Sequence, residues 1–292
     1  MNQSNTKGMI KYFRDLPIHK KLVFSFLLLA IFPALFIGVF SYYRSSELLK
    51  HKTEQYTNDI LMETGNNIED NLREAERLTF HVVSNSTIQE GLKKSNKGFA
   101  NEHEKITVEK TIDSQLRGLI SSDSDIAAIQ VISNTGIIYY VNPASISLSD
   151  NEEEKKILEK GQGSPYWFNT NPATQTLMVG RVINSLDTQE KIGYVFVYLR
   201  ENSIINAFKE TELFNTGKLF VTDRHGYIVS AKDKSLLGKR NEFTTAEAIN
   251  GIMSNNFTTA KIAGKNYYIS YRDIQGTPWR MVSFIPSLEY GK

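Results

Sequence analysis

One apolar run near the N-terminus constrains the fold of this 292-residue chain more than any other feature. No charged side chain lies between Lys21 and Arg44, and the stretch Leu22–Tyr43 is 22 residues long. At ~1.5 Å per residue, a helix of that length covers about 33 Å, enough to cross a hydrocarbon core of about 30 Å. Pro33 lies inside the run, which spanning helices tolerate. The sequence therefore predicts a membrane-spanning helix over residues 22–43.

A cleaved secretory signal is the alternative interpretation of this run. Signal peptides have an apolar region of roughly 7–15 residues, followed by small residues at a cleavage site. Here the run is longer, no A-x-A pattern follows it, and Tyr42 and Tyr43 have the character of interfacial anchors. We favour an uncleaved span.

The charges on either side of the run predict its orientation. The cations that precede it are Lys7, Lys11, Arg14, Lys20 and Lys21. Asp15 is the one acid there, whereas Arg44 stands alone after the run and is soon followed by Glu47. Because positive flanks stay inside, residues 1–21 are predicted to be a cytoplasmic tail and the rest of the chain to be extracellular.

Composition narrows the possible functions of the outer part. Without the five cations and one acid before the run, 29 Lys and Arg and 31 Asp and Glu remain, so no basic surface for nucleic acid is predicted. The chain has no cysteine, which excludes disulfides, thiolate metal sites and cysteine nucleophiles.

Helical periodicity dominates residues 44–121. Apolar positions recur every three or four residues from Ile60 to Val82, which predicts a long helix from Arg44 to about Gly91. A second helix is predicted over about 102–121. The long helix is either packed on its own domain or forms a dimer stalk, and Asn66, Asn67 and Asn71 interrupt the stripe that a coiled coil needs. We expect a homodimer.

The period then changes to that of strands. Five short β runs are predicted at residues 125–133, 136–142, 165–170, 176–184 and 191–200, with a helix at about 151–161 between the second and third. They predict a five-stranded antiparallel sheet followed by a connecting helix over 201–210. A second set of strands follows, with hairpins at 218–231 and 256–274 and a closing strand at 278–286.

Several motifs in this order resemble the double Cache domain of bacterial extracytoplasmic receptors. They are "KGQGSPYWFNT", "KIGYVFVYLRENSI", "GKLFVTDRHGYIVSAKDKSLLGK" and "YYISYRDIQGTPWRMVSFIP". The resemblance covers roughly Arg44 to Pro286. Within the family, the sequence most resembles the sensors of Gram-positive histidine kinases. It implies an α+β fold with two tandem PAS-like antiparallel-sheet units.

The resemblance also implies a domain order and a function. The expected parts are a helical segment over 44–121, a membrane-distal unit over 122–210, a membrane-proximal unit over 211–286 and a C-terminal end over 287–292. Receptors of this kind carry a second spanning helix and a cytoplasmic output region. This chain is therefore expected to be a fragment or truncated product, which we favour, or to signal through a partner. It would bind a small solute outside the cell and signal across the membrane.

The sequence offers no catalytic constellation. The motifs H-E-x-x-H, G-x-S-x-G, G-x-x-x-x-G-K-[ST] and G-x-G-x-x-G are absent, and the five histidines share no ligand spacing. Glu152–Glu154 opens a short helix, where acidic side chains are typical of a solvated N-terminus. We therefore predict no catalytic residue, no metal and no cofactor.

A binding pocket is better supported. Aromatic side chains concentrate in the distal unit, together with one arginine on an otherwise apolar strand. The candidate ligand-binding residues are Tyr140, Tyr166, Trp167, Phe168, Arg181 and Tyr194. Arg181 either clamps a carboxylate or phosphate, or it pairs with an acid such as Asp187 or reaches solvent. The aromatic cluster either lines a pocket or forms part of the hydrophobic core.

The resemblance weakens the case for an amino-acid ligand. Members of the family that bind amino acids carry an arginine two residues before the tryptophan, and Pro165 stands at that position here. The ligand class therefore stays open between a sugar, a small organic acid and no ligand. Chemoreceptors, cyclases and transmembrane regulators share such sensors, and the remaining alternatives are an anchored interaction module or a surface hydrolase.

Overall fold

The computed structural model describes residues 17–120, 125–142, 146, 148, 150–211, 217–240, 243 and 257–287. The chain up to Gln55 belongs to one compact unit, and Tyr56–Glu289 forms a second. The first unit contains the apolar run, and the second contains both sheets.

Helix α1, Ile18–Ser84, has 67 residues and includes the predicted spanning segment with Pro33 inside it. Its apolar stretch is unburied by the rest of the protein and is long and apolar enough to cross a membrane. Length and composition are thus those of a spanning helix, as the sequence predicts.

The later part of α1 belongs to the second unit and is amphipathic. Its buried apolar side chains follow at intervals of three, four or seven residues: Leu61, Ile68, Leu72, Ala75, Leu78 and Val82. The opposite face is polar and carries the exposed ion pairs Arg73–Asp70 and Arg77–Glu74. The predicted stripe is therefore used for packing within the protein's own second unit.

Two asparagines divide the helical region where the sequence predicts a longer first helix. The Asn85 side chain accepts a hydrogen bond from the amide of Ile88 at 3.1 Å, so α1 stops and α2, Ser86–Lys97, begins. Asn101 caps α3, Glu102–Leu119, in the same way. The N-cap chemistry of Asn85 decides this break, which apolar spacing alone does not reveal.

The first sheet forms what we name the N-terminal lobe. Its strands are β1 (Ile126–Ser133), β2 (Ile138–Val141), β3 (Tyr166–Asn171), β4 (Thr176–Asn184) and β5 (Lys191–Arg200), with helices α4 (Glu152–Lys160) and α5 (Asn202–Ile205). All neighbours are antiparallel, in the order β2-β1-β5-β4-β3. The predicted five-stranded antiparallel sheet is confirmed.

The second sheet forms the C-terminal lobe. Its strands are β6 (Lys218–Asp223), β7 (Ile228–Ala231), β8 (Phe257–Ile262), β9 (Lys265–Asp273) and β10 (Trp279–Pro286). Their order, β7-β6-β10-β9-β8, repeats that of the first sheet. Phe220, Phe243, Ile269 and Phe284 pack at the centre of its core. The fold is α+β with two similar antiparallel-sheet lobes, as predicted.

An arginine anchors the C-terminal lobe to α1. The Arg272 guanidinium of β9 donates to the backbone carbonyls of Leu61 and Met62 and to Oε1 of Glu69, the last at 3.1 Å. It lies against Gly65, where an added Cβ would clash with its Nη1. Glu69 is buried and also accepts from the amide of Gln275. Gly65 therefore makes room for the arginine that joins the lobe to the helix.

Removing this arginine should destabilise the second unit. Arg272→Ala leaves the buried Glu69 carboxylate without its cation, so we expect a loss of about 2 kcal/mol in the free energy of unfolding. Urea unfolding of the chain in detergent, followed by tryptophan fluorescence, measures it. Lys265→Ala removes an exposed cation from the same strand and is the matched control. A change below ~0.5 kcal/mol for Arg272→Ala would show that the anchor is dispensable.

Candidate functional site

Strand alternation gives the sheet of the N-terminal lobe two faces with different surroundings. Trp167 pairs with Val179 and Phe168 pairs with Met178, so the two neighbouring aromatic residues lie on opposite faces. Tyr139, on the Trp167 side, forms a hydrogen bond with Ser95 of α2 at 2.5 Å. We call this the helix face and the other side the cavity face.

The cavity face holds a cavity of about 290 Å³. It lies between the sheet and the segment that leads into α4. Its lining comprises Leu148, Asp150, Asn151, Glu154, Phe168, Asn169, Asn171, Thr176, Met178 and Tyr198. This volume lies just below the usual range of roughly 300–1,000 Å³ for small-molecule sites, so the cavity suits only a small solute.

Aromatic side chains form one wall of the cavity. Phe168 contacts Tyr166 edge to face, with ring centroids 5.0 Å apart. The Tyr198 hydroxyl donates to Oε1 of Gln130 at 2.6 Å, and both residues are buried. These contacts fix the positions of the rings before any solute enters.

The lining also includes polar and acidic side chains. Asp150 accepts a hydrogen bond from Lys155 at 2.7 Å, and Asn151 caps α4 by accepting from the amide of Glu153 at 2.9 Å. Glu154 follows in the first turn of α4. Asp150, which precedes the helix and pairs with Lys155, and Glu154 in the first turn of α4 thus place two acidic side chains at the lining.

The lining continues into the junction between the two lobes. Nδ2 of Asn169 donates to Oδ2 of Asp223, and Nε1 of Trp279 donates to Oδ1 of Asn169, both at 2.9 Å. The next hydroxyl, that of Thr170, donates to the carbonyl of Val229 at 2.6 Å. One edge strand therefore borders the cavity and binds the C-terminal lobe.

Of the six predicted site residues, Phe168 lines the cavity, and the structure does not bring the six together. Trp167 lies on the helix face, almost fully buried, where its Nε1 donates to Oε1 of Glu76 at 2.7 Å. Its ring contacts that of Trp279 at 5.5 Å between centroids. The sheet separates Trp167 from the cavity because it lies one residue out of phase with Phe168.

Arg181 is also on the helix face and is partly buried. Burial lowers its pKa, and the charge of Glu76 opposes that shift. Its Nε has no hydrogen-bond partner among the residues that the structure describes. Asp187, the acid suggested as an example of a partner, pairs with Lys93 instead, and the acid whose charge acts on Arg181 is Glu76.

The three remaining tyrosines have separate surroundings. The Tyr194 hydroxyl donates to Oε1 of Glu159 at 2.6 Å and accepts from Lys191 at 2.8 Å. Hydrogen bonds from Lys191 and Tyr194 hold the pKa of Glu159 below its usual value, whereas burial raises the pKa of Tyr194. Tyr166 and Tyr140 are exposed, and Tyr140 lies on the edge strand β2.

Sequence reasoning missed most of the polar lining. Tyr194 and Tyr198 are four residues apart in β5, so their side chains point to the same face of the sheet. This alternation could have placed Tyr198 on the cavity face. The sequence predicts a solvated helix start for Glu154 and indicates no role for Asp150. No group of three or more histidine, aspartate or glutamate residues that could hold a metal occurs among the residues that the structure describes.

Comparison with known proteins identifies the family. The family model described as Cache domain, in its double (dCache) form, matches residues 45–290. A curated relative, the sensor histidine kinase YesM of Bacillus subtilis strain 168, is 22% identical over 287 residues, which is 96% of this chain. The chain spans 48%, about half, of that relative's length.

Solved structures share the fold at low identity. The ligand-binding domain of the Pseudomonas fluorescens chemoreceptor CtaA, in complex with L-leucine, is 18% identical with a TM-score of 0.60, covering 84% of this chain and 100% of that one. The ligand-binding domain of Mlp24 with asparagine is 13% identical with a TM-score of 0.59, covering 84% and 97%. That of the Pseudomonas aeruginosa PAO1 chemoreceptor PctC with GABA is 16% identical with a TM-score of 0.58, covering 80% and 99%.

The fold and the family match agree with one another. The fold has two repeated sheets, a long helix and a cavity in the first lobe, and the family model matches residues 45–290. The chain belongs to the Cache domain family, in its double Cache form.

Proposed function

We propose that this chain is the extracellular sensor part of a membrane receptor and that it binds a small solute in the cavity of the N-terminal lobe. The observation that supports this most is the cavity itself, whose lining combines the aromatic rings of Phe168 and Tyr198 with the acidic side chains of Asp150 and Glu154. Small-molecule sites combine such a wall with a few polar groups. The relatives with this fold are ligand-binding domains.

Strand β3 provides the route by which an occupied cavity acts on the rest of the second unit. Phe168 borders the cavity, while its sequence neighbours Trp167 and Asn169 contact Trp279 and Asp223 of the C-terminal lobe. A solute that displaces Phe168 therefore changes the same strand that joins the lobes. Signalling requires two arrangements of this junction that bind the solute with different affinity.

Helix α1 connects this junction with the membrane in our proposal. Glu76 of α1 accepts the hydrogen bond of Trp167, and the same continuous helix includes the apolar segment. We propose that the segment spans the membrane with the N-terminus in the cytoplasm, since five cations precede it and one follows closely. A homodimer remains a prediction.

The proposed output is a histidine kinase region. The kinase relative aligns with 96% of the chain, including the apolar segment, whereas the chemoreceptor structures share the fold at 18% identity or less. A chemoreceptor-type output is the second candidate, supported by those structures.

Cysteine labelling tests the orientation, because the native chain has no cysteine. Ser86→Cys, at an exposed position, should react with a membrane-impermeant maleimide on intact cells. Ser4→Cys should react only after the cells are permeabilised. The reverse pattern would contradict the proposed topology.

A binding screen tests the cavity. We expect at least one small solute from a broad library to raise the melting temperature of the chain in detergent, because a ligand that binds the folded state stabilises it. Phe168→Ala removes the wall and should weaken that solute's affinity by about tenfold or more, measured by calorimetry.

Tyr140→Ala is the matched control, since it removes an exposed aromatic ring from the far edge of the same sheet. It should bind the solute as the native chain does. A library without any stabilising solute, or a solute whose affinity is unchanged by Phe168→Ala, would refute the proposed site.

A further inference from the structure

A cluster of polar side chains lies at the rim of the core of the C-terminal lobe. Arg280 of β10 is paired with Thr222 of β6 on one side and with Asp273 of β9 on the other. Residues directly opposite each other in an antiparallel sheet project from the same face, so these three side chains are neighbours. By alternation they share that face with Phe220 and Phe284 of the lobe's core. A charged group therefore stands beside an apolar core.

The Arg280 guanidinium is buried without enough partners. Only 6% of the residue is exposed, and its Nε and Nη1 have no hydrogen-bond partner within the described part of the chain. Its Nη2 lies 3.3 Å from Oδ1 of Asp273, whose side chain is 59% exposed. The guanidinium also lies 4.9 Å from the centroid of the Tyr271 ring, which attracts the charge but does not satisfy the two remaining donors. Such free donors on a buried charge are costly.

Thr222 adds a second unsatisfied group at the adjacent position. It is 1% exposed, and its Oγ1 has no hydrogen-bond partner among the described residues either. Most buried polar side chains in proteins do have one. Because Thr222 and Arg280 leave the same face of neighbouring strands, one missing partner accounts for both groups.

The chemistry of these groups defines that partner. The guanidinium donates and carries a positive charge, and the threonine hydroxyl is also able to donate, so the partner is an acceptor with negative charge. The planar guanidinium fits the paired oxygens of a carboxylate or a phosphate. Asp273 is exposed beside Arg280, so the cluster is close to solvent and its own repulsion of an anion is screened.

We propose that the C-terminal lobe contains an anion site in which a small oxyanion, a carboxylate or an inorganic phosphate, accepts hydrogen bonds from Arg280 and Thr222. This site goes beyond the proposed function, since it lies in the other lobe and does not depend on the cavity. An anion that binds only the folded lobe stabilises it.

Two simple anions test the site and distinguish its possible ligands. We would titrate the full chain in detergent with sodium acetate and with sodium phosphate, at an ionic strength kept constant with sodium chloride, and follow the melting temperature and the heat of binding. At least one anion should raise the melting temperature saturably. A response to acetate alone assigns a carboxylate ligand, and a response to phosphate alone assigns a phosphate.

Matched variants locate the interaction. Arg280→Gln removes the charge and should weaken binding of the effective anion about tenfold or more. Thr222→Val keeps the shape of the side chain without its hydroxyl and should weaken binding about fivefold. Arg224→Gln removes an exposed cation from the turn that follows β6, and its affinity should stay within about twofold of the native value. Phe168→Ala, which changes only the other lobe, should also leave the anion affinity unchanged.

Three results would overturn the anion site. One is the lack of a saturable response of the native chain to either anion, and another is equal affinity of Arg280→Gln and the native chain. If Arg280→Gln does not fold, an unchanged affinity of Thr222→Val decides against the site. An affinity that falls with Phe168→Ala but not with Thr222→Val would place the anion in the cavity instead, which overturns this site and leaves the proposed function standing.

Discussion

The hydrogen bond from the Trp167 indole to the Glu76 carboxylate is the interaction on which the arrangement of the second unit depends. It ties the edge strand of the N-terminal lobe to α1, and the same indole contacts Trp279 of the C-terminal lobe. Three parts of the unit therefore meet at one buried aromatic ring. A hydrogen bond from a neutral donor to a carboxylate is roughly twice as strong as one between two neutral groups.

Both lobes use the same side of α1 for their attachment. Glu69 binds Arg272 of the C-terminal lobe, and Glu76, seven residues later, binds Trp167 of the N-terminal lobe. Seven residues are about two helical turns, so the two carboxylates lie on one face of the helix. The helix thus acts as a common support, and a relative movement of the lobes must change the surroundings of at least one of these carboxylates.

Periodicity predicted the elements because local sequence determines them. Alternation located the strands of both sheets. The three-to-four spacing located the helices, apart from the break that Asn85 causes by capping α2 and the connecting helix, which is predicted over 201–210 and spans only Asn202–Ile205. The candidate site was harder to predict, since the sequence shows that Trp167 and Phe168 point to opposite faces but not which face carries a cavity. The role of Arg181 depends on which side chains pack against its face of the sheet. Asp187 pairs with Lys93, which lies in a helix far away in the sequence. Such contacts follow from tertiary packing, which a single sequence does not reveal.

The two tryptophans of the chain allow a direct test of the central claim that β3 couples the cavity to the junction of the lobes. Fluorine NMR of the chain labelled with 5-fluorotryptophan gives one signal for Trp167 and one for Trp279, which single Trp→Phe variants assign. Phe168→Leu changes only the cavity side of β3, and we predict that it shifts the Trp279 signal, whereas Tyr140→Leu does not. A Trp279 signal that is unchanged by Phe168→Leu would contradict the coupling.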